Sequence, residues 1–323
     1  MRYSHLQMLA GFGGLRQAGR MQSNVFRPTT IIEAGRLGER LGVKLILASE
    51  AFQHTGSFKF RAGYNVAANV PNEMMIAASS GNFGQGLAYA CKLLKKQCII
   101  VMPATSDPAK VAAVRSHGAK VDTIDLRKTS RAERVAQLGR EYSKAYIASA
   151  YDDPLVIEGN ATLGRELAAL NLAVDCFVAP VGGGGLTSGL ITGLRAGKCA
   201  TPVIGVEPTI ANDAARSLRE GKIVRNETEP QTLADGVRTV SVGEHNWAIL
   251  RDGLSKIVEV DEPLIPEAVR LLFNLANVKA EPTGALPVAA LLAQPETFRG
   301  KSVCCIVSGA NVDPGLFARI LAE

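Results

Sequence analysis

The chain has 323 residues, 47% hydrophobic, 20% charged and 5% aromatic, which is enough apolar material for a sizeable core and excludes a disordered protein. That length exceeds a usual single domain, so two domains or one elaborated domain are expected. The formal charge is +6, but lysines and arginines are scattered and there is one Trp, so a solvated basic surface is expected rather than a nucleic-acid partner.

In chain order, the short β-branched runs predict strands over 43–47, 75–78, 98–102, 120–124, 176–180, 203–206 and 303–307. Helical patterns fall between them over 84–94, 108–117, 130–141 and 186–196. This alternation predicts βαβ units and a mostly parallel sheet. In such sheets ligands sit beyond the carboxyl ends of the strands, beside helix N-termini. The 6 cysteines (91, 98, 176, 199, 304 and 305) form no CxxC pair and have no companion histidines, so reduced core thiols are expected rather than zinc or disulfides. His5, His54, His117 and His245 suggest no triad or metal set. No run approaches the roughly 18 apolar residues of a membrane helix, and the N-terminus has no hydrophobic signal region. A soluble, cytoplasmic protein without a membrane partner is expected.

Three expected strand-to-helix junctions are rich in Gly, Ser and Asn: Ser79 to Gly86, Gly182 to Gly185, and Ser308 to Asn311. All three fall where a strand should end, so all three can line one cleft. In the four-glycine run, N–H groups without side chains can converge on an anion beside a helix start, and phosphate is the natural guest. A tight turn or a close helix contact would use the same residues. The run matches neither GxGxxG nor GxxxxGKS. Lys59 stands between Phe58 and Phe60, after small polar residues. Desolvation there would lower its pKa and free the amine for imine formation. By itself it would pass for a surface lysine opening a helix.

The segments Gly56-Ser57-Phe58-Lys59-Phe60-Arg61, Ser79–Gln85, Gly182–Gly185, Ala234-Asp235-Gly236, Glu281-Pro282-Thr283-Gly284-Ala285 and Ser308–Asn311 together resemble one family. It is the fold type II pyridoxal-phosphate enzymes, specifically the threonine/serine dehydratases and serine racemases. The matches occur in the family's order over residues 55–313. The resemblance implies a two-domain α/β fold of the tryptophan synthase β type, with mostly parallel sheets flanked by helices. Residues 1–72 and 151–323 would form the large cofactor-binding domain, and 73–150 a small domain that closes over substrate. A homodimer is also implied.

By the same resemblance, Lys59 would carry pyridoxal phosphate and move the α-proton. Phe58 and Gly236 would cover the two faces of its ring, and Asn82 would meet the ring hydroxyl. Gly182, Gly183, Gly184 and Gly185 would take the phosphate. Ser79, Ser80, Gly81, Asn82 and Phe83 would take the substrate carboxylate. Ser308 would meet the ring nitrogen, where a hydroxyl, unlike an Asp, cannot protonate it. That weakens the electron sink, disfavours transamination and favours elimination of a β-hydroxyl. In racemases of this family a serine on the opposite face exchanges the α-proton, and Ser80 has that position. Glu207, the Ala211 carbonyl and Asp213 match a divalent-cation site of racemase-like members, with hard oxygen ligands suited to Mg²⁺ or Ca²⁺. Two ordinary surface carboxylates are the alternative there. Arg131 matches an arginine that can read a second substrate carboxylate, or it is a solvated helix residue.

The implied activity is an ammonia-lyase/dehydratase acting on L-threonine, L-serine or a related 3-hydroxy amino acid, with a serine-type racemase as the alternative. β-Replacement is disfavoured because Phe-Arg, not Asp-Arg, follows Lys59. A non-catalytic cofactor-binding sensor would not need Lys59, Ser80, Asn82 and Ser308 together. One departure stands out: Phe83 occupies a position that is histidine in most dehydratases and racemases, making the pocket bulkier and less polar. The chain ends soon after Asn311, so no regulatory extension with isoleucine feedback is expected.

Overall fold

The computed structural model describes residues 25–323. His5 and the stretch read for a signal region lie outside the described residues. Two sheets organise the chain. The larger has six strands in the order β1-β2-β10-β7-β8-β9, and the smaller has four in the order β5-β4-β3-β6. In the larger sheet these are β1 (Thr30–Glu33), β2 (Lys44–Ser49), β7 (Cys176–Pro180), β8 (Val203–Pro208), β9 (Leu254–Val260) and β10 (Ser302–Val307). The smaller sheet holds β3 (Met74–Ala78), β4 (Gln97–Pro103), β5 (Lys120–Ile124) and β6 (Tyr146–Ile147).

Every pairing is parallel except the β1–β2 edge. Parallel strands covered by helices on both faces read as continuous apolar runs rather than alternating ones. Cys176–Pro180 is such a run, with all five residues buried. All seven predicted strands are present. Three strands escaped prediction. β1 is a four-residue antiparallel edge, β6 has two residues, and β9 closes the far edge with a half-buried, mixed pattern. Several helices were also not singled out, among them Lys59–Asn69, Pro154–Ala169 and Pro282–Ala293, which is buried from Pro282 to Leu291.

The register places three junctions side by side. β10 lies between β2 and β7, so the segments following Ser49, Pro180 and Val307 leave neighbouring strand ends. They carry Lys59, the glycine run and Ser308. The Lys59–Asn69 helix packs its apolar face into the smaller sheet's core, where Phe60 and Val66 join Met75, Leu87 and Ile100. It also crosses the Asn82–Leu93 helix closely. A Cβ on Gly86 would lie 2.8 Å from the Lys59 carbonyl oxygen, so the crossing requires glycine there. No helix among the described residues is long and apolar enough to cross a membrane.

Candidate active site

Lys59 opens its helix directly after Phe58, and its amine is buried. The amine donates to the Ala150 carbonyl at 2.6 Å, 5.2 Å from the centre of the Phe58 ring and 5.7 Å from that of Phe83. Burial lowers its pKa to about 8, partly opposed by the nearby Glu281 carboxyl. The Phe58 N–H donates to the Ser308 carbonyl at 3.0 Å, and Ser57 bridges Gly309. Ser308 is therefore fixed beside Lys59. Its hydroxyl is buried without a hydrogen-bond partner, as expected of a group awaiting a ligand atom.

The glycine run connects β7 to the helix Gly185–Ala196. Gly184 has φ +94°, a left-handed conformation costly for other residues. Side chains would also collide there, since a Cβ on Gly183 would fall 2.2 Å from the Tyr151 ring. Among the described residues, none of the N–H groups of Gly182 to Gly185 donates to a protein acceptor. Buried N–H groups left unpaired are rare, and a row of them at a helix start fits a phosphate. Gly236 adjoins this loop: a Cβ on Gly182 would lie 3.3 Å from the Gly236 carbonyl oxygen. The Gly236 N–H is held by Thr283 Oγ1 at 2.9 Å.

In the Ser79–Gln85 junction the Ser79 hydroxyl accepts from Gly84 N–H at 3.1 Å and Gly81 N–H at 3.4 Å. The N–H groups of Ser80, Asn82 and Phe83 have no acceptor among the described residues, which suits an incoming carboxylate at the start of the Asn82–Leu93 helix. The Asn82 side chain spans two residues that had no individual role in the sequence reading. Its Nδ2 donates to Glu281 Oε1 at 2.8 Å, and its Oδ1 accepts from Asn311 Nδ2 at 2.8 Å. Glu281 is buried, and burial raises its carboxyl to about 8, aided by Asp235 and opposed by the Asn82 hydrogen bond. Its position before Pro282 reads as an ordinary helix entry, so sequence alone offered no sign of this contact. Phe83 is almost fully buried, with its ring turned toward both the Lys59 amine and the smaller sheet's core.

The remaining candidates lie apart from this group. Arg131 pairs with Glu229 at 3.4 Å, and Lys110 pairs with Asp235 at 2.6 Å beside Gly236. Both pairs tie the smaller-sheet region to the 222–240 segment. Glu207 lies near the end of β8, fully buried, and its oxygens accept from Ala214 and Ala215 N–H at 3.2 and 2.8 Å. Asp213 is also buried; its Oδ1 accepts from Asn226, and its Oδ2 has no partner. Burial and the Asp213 charge push Glu207 well above its usual pKa, and burial raises Asp213 to about 6. Glu207 and Asp213 are therefore buried carboxyls beside the buried Ala211 rather than surface residues.

The sequence pattern of the family described as "Pyridoxal-phosphate dependent enzyme" matches residues 23–309. An L-threo-3-hydroxyaspartate ammonia-lyase from Pseudomonas sp is 35% identical over 91% of this chain and 92% of its own length. Human serine racemase is 35% identical over 88% of this chain and 86% of its own. The crystal structure of a T.th. threonine deaminase superposes with a TM-score of 0.84 at 40% identity, covering 93% of this chain and 97% of that one. The lysine with its flanking loops and the glycine run are thus set in the frame these relatives share, and the chain belongs to the pyridoxal-phosphate-dependent enzymes, in the threonine/serine dehydratase and serine racemase family.

Proposed function

We propose that this enzyme is an ammonia-lyase/dehydratase that converts a 3-hydroxy amino acid, among them L-threonine, L-serine and 3-hydroxyaspartate, into a 2-oxo acid and ammonia. The observation that carries it is the buried Lys59 amine with a pKa near 8, set among unpaired N–H groups and the unpaired Ser308 hydroxyl. Ammonia-lyases for hydroxyaspartate and threonine among the relatives support the substrate class.

Pyridoxal phosphate would be held by Lys59, with its phosphate on Gly182 to Gly185, its ring between Phe58 and Gly236, and its ring hydroxyl and nitrogen facing Asn82 and Ser308. When bound it supplies an electron sink for the substrate's α-carbon. The unpaired N–H groups of Ser80, Asn82 and Phe83, in the Ser79–Phe83 loop, hold the substrate carboxylate. The Lys59 amine removes the α-proton, working in a buried site where its pKa suits proton transfer near neutrality. The electron pair left on the α-carbon expels the β-hydroxyl, which takes up the proton carried by Lys59 and leaves as water. The released enamine then takes up water to give the 2-oxo acid and ammonia. Residues 73–150 act as the mobile small domain against 1–72 and 151–323, in a cytoplasmic homodimer.

The test is a panel of 3-hydroxy amino acids assayed for 2-oxo acid, including acidic and bulky members. 3-Hydroxyaspartate would have to draw Arg131 away from Glu229, and bulky β-substituents would meet Phe83. If no member is consumed, the dehydratase assignment fails. Racemisation is a second activity, favoured by Ser80, whose half-buried hydroxyl has no hydrogen-bond partner among the described residues. Ser80→Ala is expected to reduce any racemisation by about a hundredfold while sparing elimination, read by chiral analysis of recovered substrate. Equal loss of both would remove the two-base mechanism.

Glu207, the Ala211 carbonyl and Asp213 would hold Mg²⁺ or Ca²⁺ in a structural role. Both carboxyls have raised pKa values, so their contribution to stability is present at low pH and is lost as pH rises through the folded value, about 6 for Asp213. At pH 8 added Mg²⁺ is expected to raise Tm by several degrees, and Asp213→Asn to abolish that rise. A cation-dependent shift that persists in Asp213→Asn would place the cation elsewhere.

A further inference from the structure

The glycine run is also gripped from behind by residues outside every motif noted above. Asn246 Nδ2 donates to the Gly183 carbonyl at 2.8 Å, where it joins the Gly243 N–H at 3.0 Å, and to the Tyr151 carbonyl at 3.0 Å. Asn160 Nδ2 donates to the Gly185 carbonyl at 2.9 Å. Both asparagines are fully buried, and in both the Oδ1 atom is buried without a partner. An unpaired buried acceptor is destabilising, and a leucine of similar volume would avoid it. The side chains are therefore poorly explained as packing and well explained as donors. Their orientation is fixed, because a flipped amide would set oxygen against a carbonyl oxygen.

The consequence follows from peptide geometry. In a trans peptide the C=O and the following N–H point in opposite directions, and no peptide bond among the described residues is cis. Holding the Gly183 carbonyl on the Asn246 side turns the Gly184 N–H to the opposite side. Holding the Gly185 carbonyl on Asn160 does the same for the Leu186 N–H. Neither N–H has a protein acceptor among the described residues. Gly184 is also the residue at φ +94°, and a loop of glycines has many alternative conformations to lose. Binding an anion is strongest when its donors are aimed in advance.

We propose that Asn160 and Asn246 are positioning residues that aim the Gly184 and Leu186 N–H groups at the cofactor's phosphate by holding the carbonyls on the reverse side of the loop. This rests on the glycine run being the phosphate cradle. Neither side chain touches the cofactor in this role, so their effect is confined to the phosphate end of the ligand.

The experiment compares two ligands with the same aldehyde. Apoprotein prepared from the purified holoenzymes of wild type, Asn160→Leu and Asn246→Leu is titrated with pyridoxal phosphate and with pyridoxal, which has no phosphate. Visible absorption of the lysine-bound chromophore reports affinity, and the ³¹P resonance reports the phosphate environment. Each substitution is expected to weaken pyridoxal phosphate by about tenfold or more, to leave pyridoxal affinity unchanged and to shift the ³¹P resonance. Equal weakening of both ligands, or of neither, would overturn the positioning role. Asn160→Ala and Asn246→Ala add no atoms and give the same comparison if the leucine variants do not fold. A wild-type protein that binds pyridoxal as tightly as pyridoxal phosphate would instead overturn the cradle itself, which separates the two failures.

Discussion

Lys59→Ala is expected to cut turnover by about a thousandfold or more while the fold persists. In the proposed mechanism the amine is the anchor for the cofactor, and among the described residues it is the only candidate base with a pKa near neutrality that also lies between the Phe58 and Phe83 rings. Its removal deletes one hydrogen bond, to Ala150, and leaves the helix start itself untouched. The visible band should vanish, and circular dichroism should match wild type. The depressed pKa adds a pH signature. Below about 8 the amine is mostly protonated, so the rate at which apoprotein captures pyridoxal phosphate should rise about tenfold per pH unit and level off above that value. Retention of a tenth of wild-type turnover in Lys59→Ala, or a flat capture profile between pH 6 and about pH 9, would remove Lys59 from its assigned place.

The largest loss of stability is expected two residues further on. Arg61 is fully buried and binds Glu50 through two hydrogen bonds, at 2.7 and 2.9 Å, and Glu166 through two more, at 2.7 and 3.0 Å. The Thr29 hydroxyl lies within 2.9 Å of both carboxylates. Burial works against the guanidinium's charge, but the two carboxylates outweigh it and raise the Arg61 pKa. Removing one member of a buried ion cluster strands the rest. Arg61→Met is therefore expected to cost about 3–5 kcal/mol, measured by chemical denaturation. Burial alone would raise Glu166, but hydrogen bonding to Arg61 more than reverses this and holds it below the usual carboxylate range. A depressed carboxylate contributes stability above its unfolded pKa and loses it as pH falls through the folded value. The wild-type advantage over Arg61→Met should thus shrink on acidification below about pH 4. A difference under about 1 kcal/mol at neutral pH would mean the cluster is replaceable packing. The cluster also anchors the first turn of the helix that presents Lys59, linking stability to the site.

The strands most legible in the sequence were those buried on both faces, such as Cys176–Pro180 and Ser302–Val307, where continuous apolar runs leave little choice of structure. Three of the four sheet edges were not, because a short strand like Thr30–Glu33 is specified by the neighbour it pairs with rather than by its own pattern. The Lys59 segment and the glycine, Ser79 and Ser308 junctions stood out because unusual backbone sites need unusual residues. Their helpers did not. Asn160 and Asn246 are common residue types in ordinary surroundings, Glu281 and Asn311 sat inside marked segments without a role of their own, and only their distant partners give the four meaning. The Glu207–Asp213 pair shows the reverse, since surface residues were a fair alternative until their burial was known.

By itself the sequence determined the alternating α/β plan through local periodicity, and it marked the Lys59 segment and the glycine run through their resemblance to a family, helped in the glycines by a backbone conformation that few residues tolerate. Only the tertiary structure decided which carbonyls and carboxylates meet those groups, because contacts such as Asn82 to Glu281 join residues 199 positions apart. A chain records its local preferences residue by residue, but hydrogen-bond partners and pKa values arise from burial that exists only once the sheets have packed.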